Sequence, residues 1–173
     1  SDERLLAYTV NRRDVPCKLY LPETGSAQRL MVYCHGGGFR HGRLPGWDAP
    51  LRQLVRESGV AVLSVEYALS PEHVFPAAFD EIVEILVRVI EEGGVDDLPV
   101  EKLALGGDSA GANLALGAAV ALRERGLDEL QYLLLFYGVY SKDVSSSSWQ
   151  RLSGYGAVVC LDDDLLAELP VRG

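Results

Sequence analysis

The chain has 173 residues, 48% hydrophobic and 24% charged, enough apolar material for one substantial core and a single domain over 1–173. A net charge of -9 and a pI near 4.8 argue against nucleic acid or an anionic membrane surface as partner, because both would repel the chain at long range. The charged start Ser1-Asp2-Glu3-Arg4, a longest hydrophobic stretch of only Leu133 to Tyr140, and three cysteines (Cys17, Cys34, Cys160) without a C-x-x-C pair predict a cytoplasmic protein with free thiols and no membrane span.

In chain order, Val15, Cys17, Leu19 and Leu21 alternate with polar or small residues, the period-two signature of a strand with one buried face, and Leu5 to Val10 is expected to pair with it. The later runs Leu30–Cys34, Val60–Val65, Leu103–Leu105 and Tyr132–Phe136 are nearly continuous in apolar residues, which suits strands covered on both faces. Helical patterns lie between them. Asp48 is expected to cap a helix presenting Leu51, Leu54 and Val55 and ending before Gly59. Pro76 suits the first turn of a helix carrying Phe79, Ile82, Val83, Leu86 and Ile90 up to Gly93-Gly94. A third helix, rich in alanine, runs from near Ser109 to Gly126. This alternation predicts an α/β fold: a mainly parallel sheet with helices on both faces, led by an antiparallel N-terminal pair, with ligands at the carboxyl ends of the strands. After Tyr140 the serine run Ser145 to Ser148 and an aperiodic stretch predict a loop or lid-like segment over 141–161, followed by a short acidic helix around Asp162 to Leu169.

Gly107-Asp108-Ser109-Ala110-Gly111 matches G-x-S-x-G between an apolar strand and a small-residue helix, as a nucleophile elbow requires. A turn sharp enough to strain the serine backbone needs glycine or very small neighbours two residues away on either side. A serine at a helix N-terminus also has exposed amides and the helix dipole beside it to stabilise an oxyanion. The plainer reading is a tight strand-to-helix turn in which Ser109 is an N-cap. The second motif, His35-Gly36-Gly37-Gly38-Phe39, follows the strand ending at Cys34, where such folds place the other half of the oxyanion hole. It lacks the Lys-Ser/Thr of a P-loop and the G-x-G-x-x-G spacing of a dinucleotide site.

With both motifs the chain resembles the hormone-sensitive-lipase-like carboxylesterases of the α/β-hydrolase fold, which carry HGGG upstream of GDSAG. The segment Glu66-Tyr67-Ala68-Leu69-Ser70-Pro71-Glu72-His73-Val74-Phe75-Pro76-Ala77-Ala78 is similar to that family's Y-R-L-x-P-E-x-x-F-P-A stretch, with Ala68 where arginine is common. The resemblance implies that Ser109 attacks an ester carbonyl, that the amides of Gly37, Gly38 and Ala110 hold the oxyanion, and that His35, Gly36 and Asp108 support the loop. It also implies small or medium acyl esters as substrates, with no cofactor and no metal.

The triad of this fold follows the order Ser, Asp/Glu, His, yet His35, His41 and His73 all precede Ser109. His41, just past the glycine loop, is the upstream histidine to weigh as a base; the alternative is an ordinary loop histidine. Asp162, Asp163 and Asp164 read as the first turn of a helix rather than as a triad acid. The expectation is therefore a partial domain without the C-terminal strands, whose run Tyr132–Tyr137 forms an apolar sheet edge covered by further chain, another chain or a second copy in a homodimer. A non-catalytic small-molecule-binding protein on an esterase scaffold is the alternative to an esterase.

Overall fold

In the computed structural model the described residues are 2–23, 28–141, 145 and 147–152. Strands β1 (Asp2–Val10) and β2 (Arg13–Leu21) form the expected hairpin, closed by Asn11 and Arg12 with φ of 48° and 68°. Positive φ at both central residues is the turn whose twist matches that of the paired strands. Next come β3 (Arg29–Cys34), α1 (Leu44–Ser58), β4 (Ala61–Val65) and α2 (Ala77–Glu92). They are followed by β7 (Lys102–Asp108), α3 (Ala110–Glu124), β8 (Leu130–Phe136) and α4 (Ser147–Leu152). A two-stranded ribbon of β5 (Gly94–Val95) and β6 (Leu98–Pro99) separates α2 from β7, too short to leave a period in the sequence.

The main sheet has the order β1-β2-β4-β3-β7-β8. β3 runs parallel to β4 and β7, β8 runs parallel to β7, and β2 joins β4 antiparallel. The apolar run of β3 is explained by its two faces. Leu30, Val32 and Cys34 point to a large core with Ile82, Leu86 and Leu114 of α2 and α3, while Met31 and Tyr33 join Tyr20, Val62, Leu51 and Val55 under α1. Every one of these β3 side chains is buried, so alternation in polarity has nothing to record.

Two expectations, the Asp48 cap and the coverage of β8, are corrected. Asp48 does not cap α1, because the helix starts a turn earlier with Pro45 in its first turn, and the Leu44 amide donates to Glu66 Oε2 at 3.0 Å. The Asp48 carboxylate instead accepts from Lys18 Nζ (2.9 Å) and Tyr20 Oη (2.6 Å), tying α1 to β2. Of the loop or lid-like stretch expected over 141–161, residues 147–152 form the short helix α4, and 142–144, 146 and 153–161 lie outside the described residues. β8 is not covered on both faces: Tyr132, Leu133, Leu134 and Phe136 are exposed, and among the described residues β8 pairs only with β7. Cys160, Asp162 to Asp164 and the acidic helix lie outside the described residues. No helix among the described residues is long and apolar enough to cross a membrane.

The segment 66–78 links β4 to α2 and braces the site. Glu81 on α2, 4% exposed, accepts from Arg13 Nη1 at 2.9 Å and from the Ala68 amide at 2.7 Å. Tyr67 Oη donates to the His35 carbonyl, and the Ser70 amide donates to the Phe39 carbonyl at 2.9 Å. The loop that follows β3 is therefore held from the β4 side.

Candidate active site

The crevice follows from the topology. β3 and β7 are neighbours in register, Cys34 opposite Gly107, yet the chain leaves β3 for α1 on one face of the sheet and leaves β7 for α3 on the other. Connections that diverge to opposite faces open a gap at the carboxyl ends of the two strands, where open α/β sheets bind ligands. His35 to Phe39 flanks that gap on one side and Asp108 to Gly111 on the other.

Ser109 sits between β7 and α3 with φ 53° and ψ -118°, a backbone conformation that costs a non-glycine residue on the order of 1–3 kcal/mol. The surroundings over-determine it. Its amide donates to the Phe136 carbonyl at 2.9 Å, and its carbonyl accepts from Asn113 N at 3.3 Å. A Cβ on Gly107 would lie 2.6 Å from the Cys34 carbonyl oxygen, and one on Gly111 would overlap that same carbonyl and sit 2.5 Å from the His35 oxygen. Both glycines are thus required by the approach of α3 to the end of β3. The Ser109 side chain makes no capping bond to α3, so the N-cap reading has no hydrogen bond behind it.

On the opposite wall Gly37 and Gly38 have φ of 124° and 60°, and the Arg40 and His41 amides fold back onto the Gly37 carbonyl at 3.1 and 2.9 Å. Among the described residues, the amides of Gly37, Gly38 and Ala110 donate to no backbone carbonyl. Amides left open at a helix start and in a glycine turn are suited to an incoming anion. The two walls are joined by Asp108, 8% exposed, whose Oδ1 accepts from the Gly36 amide at 2.9 Å.

His35 is fully buried. Its ring stacks on Tyr67 at 4.3 Å between centroids and tilts against Trp47 at 4.9 Å. Nδ1 lies 2.7 Å from the Gly36 carbonyl, which can only accept, so the proton resides on Nδ1 and Nε2 carries the lone pair. Nε2 is buried with no partner among the described residues. Desolvation outweighs the Gly36 bond and the nearby carboxylates Asp108 and Glu66, and holds the imidazole pKa below its ordinary 6.5. The unfolded chain takes up this proton near pH 6.5, the folded chain only at lower pH. The stability contributed by neutral His35 is therefore present above that value and is lost as pH falls toward the folded-state pKa. Urea midpoints measured from pH 7.5 to 5.5 are expected to fall more steeply for the parent than for His35→Gln; equal slopes would contradict the assignment.

His41 and His73 do not meet Ser109. Both line a groove of about 830 Å3 on the β4 side of β3, with Trp47, Tyr67 and Glu66, and Ser109 is not part of its wall. Among the described residues no histidine hydrogen-bonds the Ser109 hydroxyl, and no cluster of three or more His, Cys, Asp or Glu offers a metal site. Cys17 and Cys34 are buried free thiols, and burial pushes Cys17 up to about 12. Tyr33, Trp47 and Asn113 all contact the site's framework without having stood out in the sequence, and Tyr67 stood out only as part of the family-like segment 66–78. Tyr33 was legible only as strand and Asn113 as part of an alanine-rich helix, while Trp47 fell just before the expected helix cap at Asp48.

A family profile described as an alpha/beta hydrolase fold matches residues 31–166. The acetyl esterase of Salmonella schwarzengrund is 38% identical over 143 residues, covering 82% of this chain and 43% of that protein. Among solved structures, a hyperthermophilic esterase from the archaeon Pyrobaculum calidifontis superposes with a TM-score of 0.83 at 34% identity, over 98% of this chain and 55% of that one. A fungal esterase from Rhizomucor miehei does so with a TM-score of 0.76 at 28% identity, over 88% of this chain and 49% of that one. The chain thus spans about half the length of the relatives it matches.

Proposed function

Because the chain belongs to the hormone-sensitive-lipase-like carboxylesterases of the α/β-hydrolase family, we propose that it carries the nucleophile and oxyanion hole of a carboxylic ester hydrolase. Ser109 Oγ attacks the ester carbonyl, and the oxygen that gains charge is received by the open amides of Gly37, Gly38 and Ala110. The alcohol leaves with the serine proton, delivered through a base outside the described residues, and water then releases the acid from the acyl-serine. His35, Gly36 and Asp108 support the loop, and neither cofactor nor metal takes part. The observation that carries this reading is the pairing of a strained serine at a helix start with a glycine loop fastened across the same crevice by Asp108. Small or medium acyl groups are the substrate class, consistent with a relative named an acetyl esterase. The buried free thiols support a cytoplasmic setting.

The test is hydrolysis of p-nitrophenyl acetate and butyrate by the complete protein, together with labelling by a fluorophosphonate probe. Turnover with the label on Ser109 is expected. Saturable ester binding with neither turnover nor label would favour a non-catalytic binding protein instead.

We further propose that the β8 edge is covered in the working protein, by further chain or by a second copy. Its exposed Tyr132, Leu133, Leu134 and Phe136, on a strand that among the described residues pairs on one side only, form a surface prone to pairing. The 173-residue chain alone is expected to self-associate, and Leu133→Lys to weaken that association by roughly tenfold in sedimentation velocity, a change of about 1.4 kcal/mol. A monomeric parent would contradict this.

A further inference from the structure

We infer that Asp108, with Tyr33 and Trp47, is a positioning device that sets the direction of the Gly37 amide relative to Ser109, and so determines how well the site stabilises an oxyanion. The inference rests on the reading of Ser109 as the nucleophile.

A single carboxylate oxygen, Asp108 Oδ1, accepts three hydrogen bonds from three different elements. Tyr33 Oη on β3 donates at 2.9 Å, the Gly36 amide in the glycine loop at 2.9 Å, and Trp47 Nε1 on α1 at 3.0 Å. Asp108 itself is the last residue of β7 and is bonded directly to Ser109. The other carboxylate oxygen lies against Gly36 so closely that a Cβ there would overlap it. The donors are buried or partly buried, so water is poorly placed to substitute for the carboxylate.

The consequence lies in the geometry of one peptide unit. The Gly36 amide is held by Asp108 and the Gly36 carbonyl by His35 Nδ1, so the residue is pinned at both ends. In a planar trans peptide the N–H of Gly37 points opposite to the C=O of Gly36. Fixing that carbonyl therefore fixes the Gly37 donor. Without the pins, a stretch of three glycines has wide conformational freedom and must be ordered during the reaction. Tyr33 and Trp47 hold the carboxylate in turn and act through Asp108.

Donors aimed at an oxyanion act on the transition state more than on the bound ester, so the effect should fall on kcat and leave KM nearly unchanged. The complete protein is assayed on p-nitrophenyl acetate as parent, Asp108→Ala, Asp108→Asn, Tyr33→Phe and Trp47→Phe, with fluorophosphonate labelling rates and melting temperatures measured alongside. Asp108→Ala is expected to lower kcat by roughly 100-fold or more with KM within about threefold, and to slow labelling in parallel. Asp108→Asn keeps a carbonyl acceptor and is expected to recover at least about tenfold of that loss. Tyr33→Phe and Trp47→Phe should each lower kcat severalfold at unchanged KM, which covers the case in which Asp108→Ala does not fold. A purely structural role predicts lower melting temperatures with kcat retained in the folded fraction. That outcome, or a rise in KM at constant kcat, overturns the inference. A parent that neither turns over esters nor labels at Ser109 sinks the esterase reading itself, whereas an active parent with indifferent variants sinks only the role given to Asp108, Tyr33 and Trp47.

Discussion

Ser109→Ala is expected to lower kcat on p-nitrophenyl acetate by roughly 10⁴- to 10⁶-fold and to abolish fluorophosphonate labelling, while the melting temperature barely moves. The first effect follows from the proposed mechanism, in which no acyl-enzyme forms without Oγ. What rate remains comes from water attacking an ester held against the open amides of Gly37, Gly38 and Ala110. The second effect follows from structure. The Ser109 hydroxyl makes no capping bond, the amide bond to Phe136 is unaffected by the substitution, and the backbone strain at φ 53° is the same for alanine. Stability should therefore change by no more than about 0.5 kcal/mol. Ser109→Gly removes the strain as well as the proposed nucleophile and is expected to stabilise by about 1 kcal/mol or more. The pair separates catalysis from folding at one position. An alanine variant that keeps turnover would remove Ser109 from the mechanism, and a glycine variant less stable than the alanine variant would contradict the strain.

The largest expected effect on stability comes from Gly111→Ala. The added methyl would overlap the Cys34 carbonyl and lie 2.5 Å from the His35 oxygen, and both obstacles are backbone atoms at the end of a central strand. No side-chain rotation relieves such a clash. α3 would have to move away from β3, opening the core where Leu114, Ala115 and Ala118 pack. A loss of more than about 4 kcal/mol is expected, read as a fall of roughly 10 °C or more in melting temperature or as loss of soluble protein. Gly46→Ala is the control. Gly46 lies in α1, is exposed, and a Cβ there meets nothing within 4 Å, so alanine should stabilise by about 0.5–1 kcal/mol. A melting temperature for Gly111→Ala close to that of the parent would show that α3 does not approach β3 as described.

Much of the fold was legible because its causes are local. The alternation from Val15 to Leu21, the apolar runs of β3, β4 and β7, and the helical spacing of Ile82, Val83 and Leu86 each record which faces are buried. The errors fall where a distant residue decides. Asp48 has the chemistry of a cap, but Lys18 and Tyr20 on β2, 30 and 28 residues earlier, claim its carboxylate. The run Tyr132 to Phe136 has the composition of a central strand, yet its burial depends on neighbours that the described residues do not include. β5 and β6, two residues each, are too short to carry any period.

For the site the division is similar. The strand-turn-helix around Ser109, the glycine loop after β3 and the family can be read from the chain alone, because a strained turn and a set of open amides can be built only from small residues at fixed spacing. What holds those parts together emerges only in the folded molecule. Tyr33 and Trp47 lie 75 and 61 residues before Asp108 and carry no local pattern of their own, and they meet it because β3 and β7 lie side by side while their connections leave for opposite faces of the sheet. A hydrogen bond reaches about 3 Å, so the partners of Asp108 become visible only once the fold has brought them within that distance.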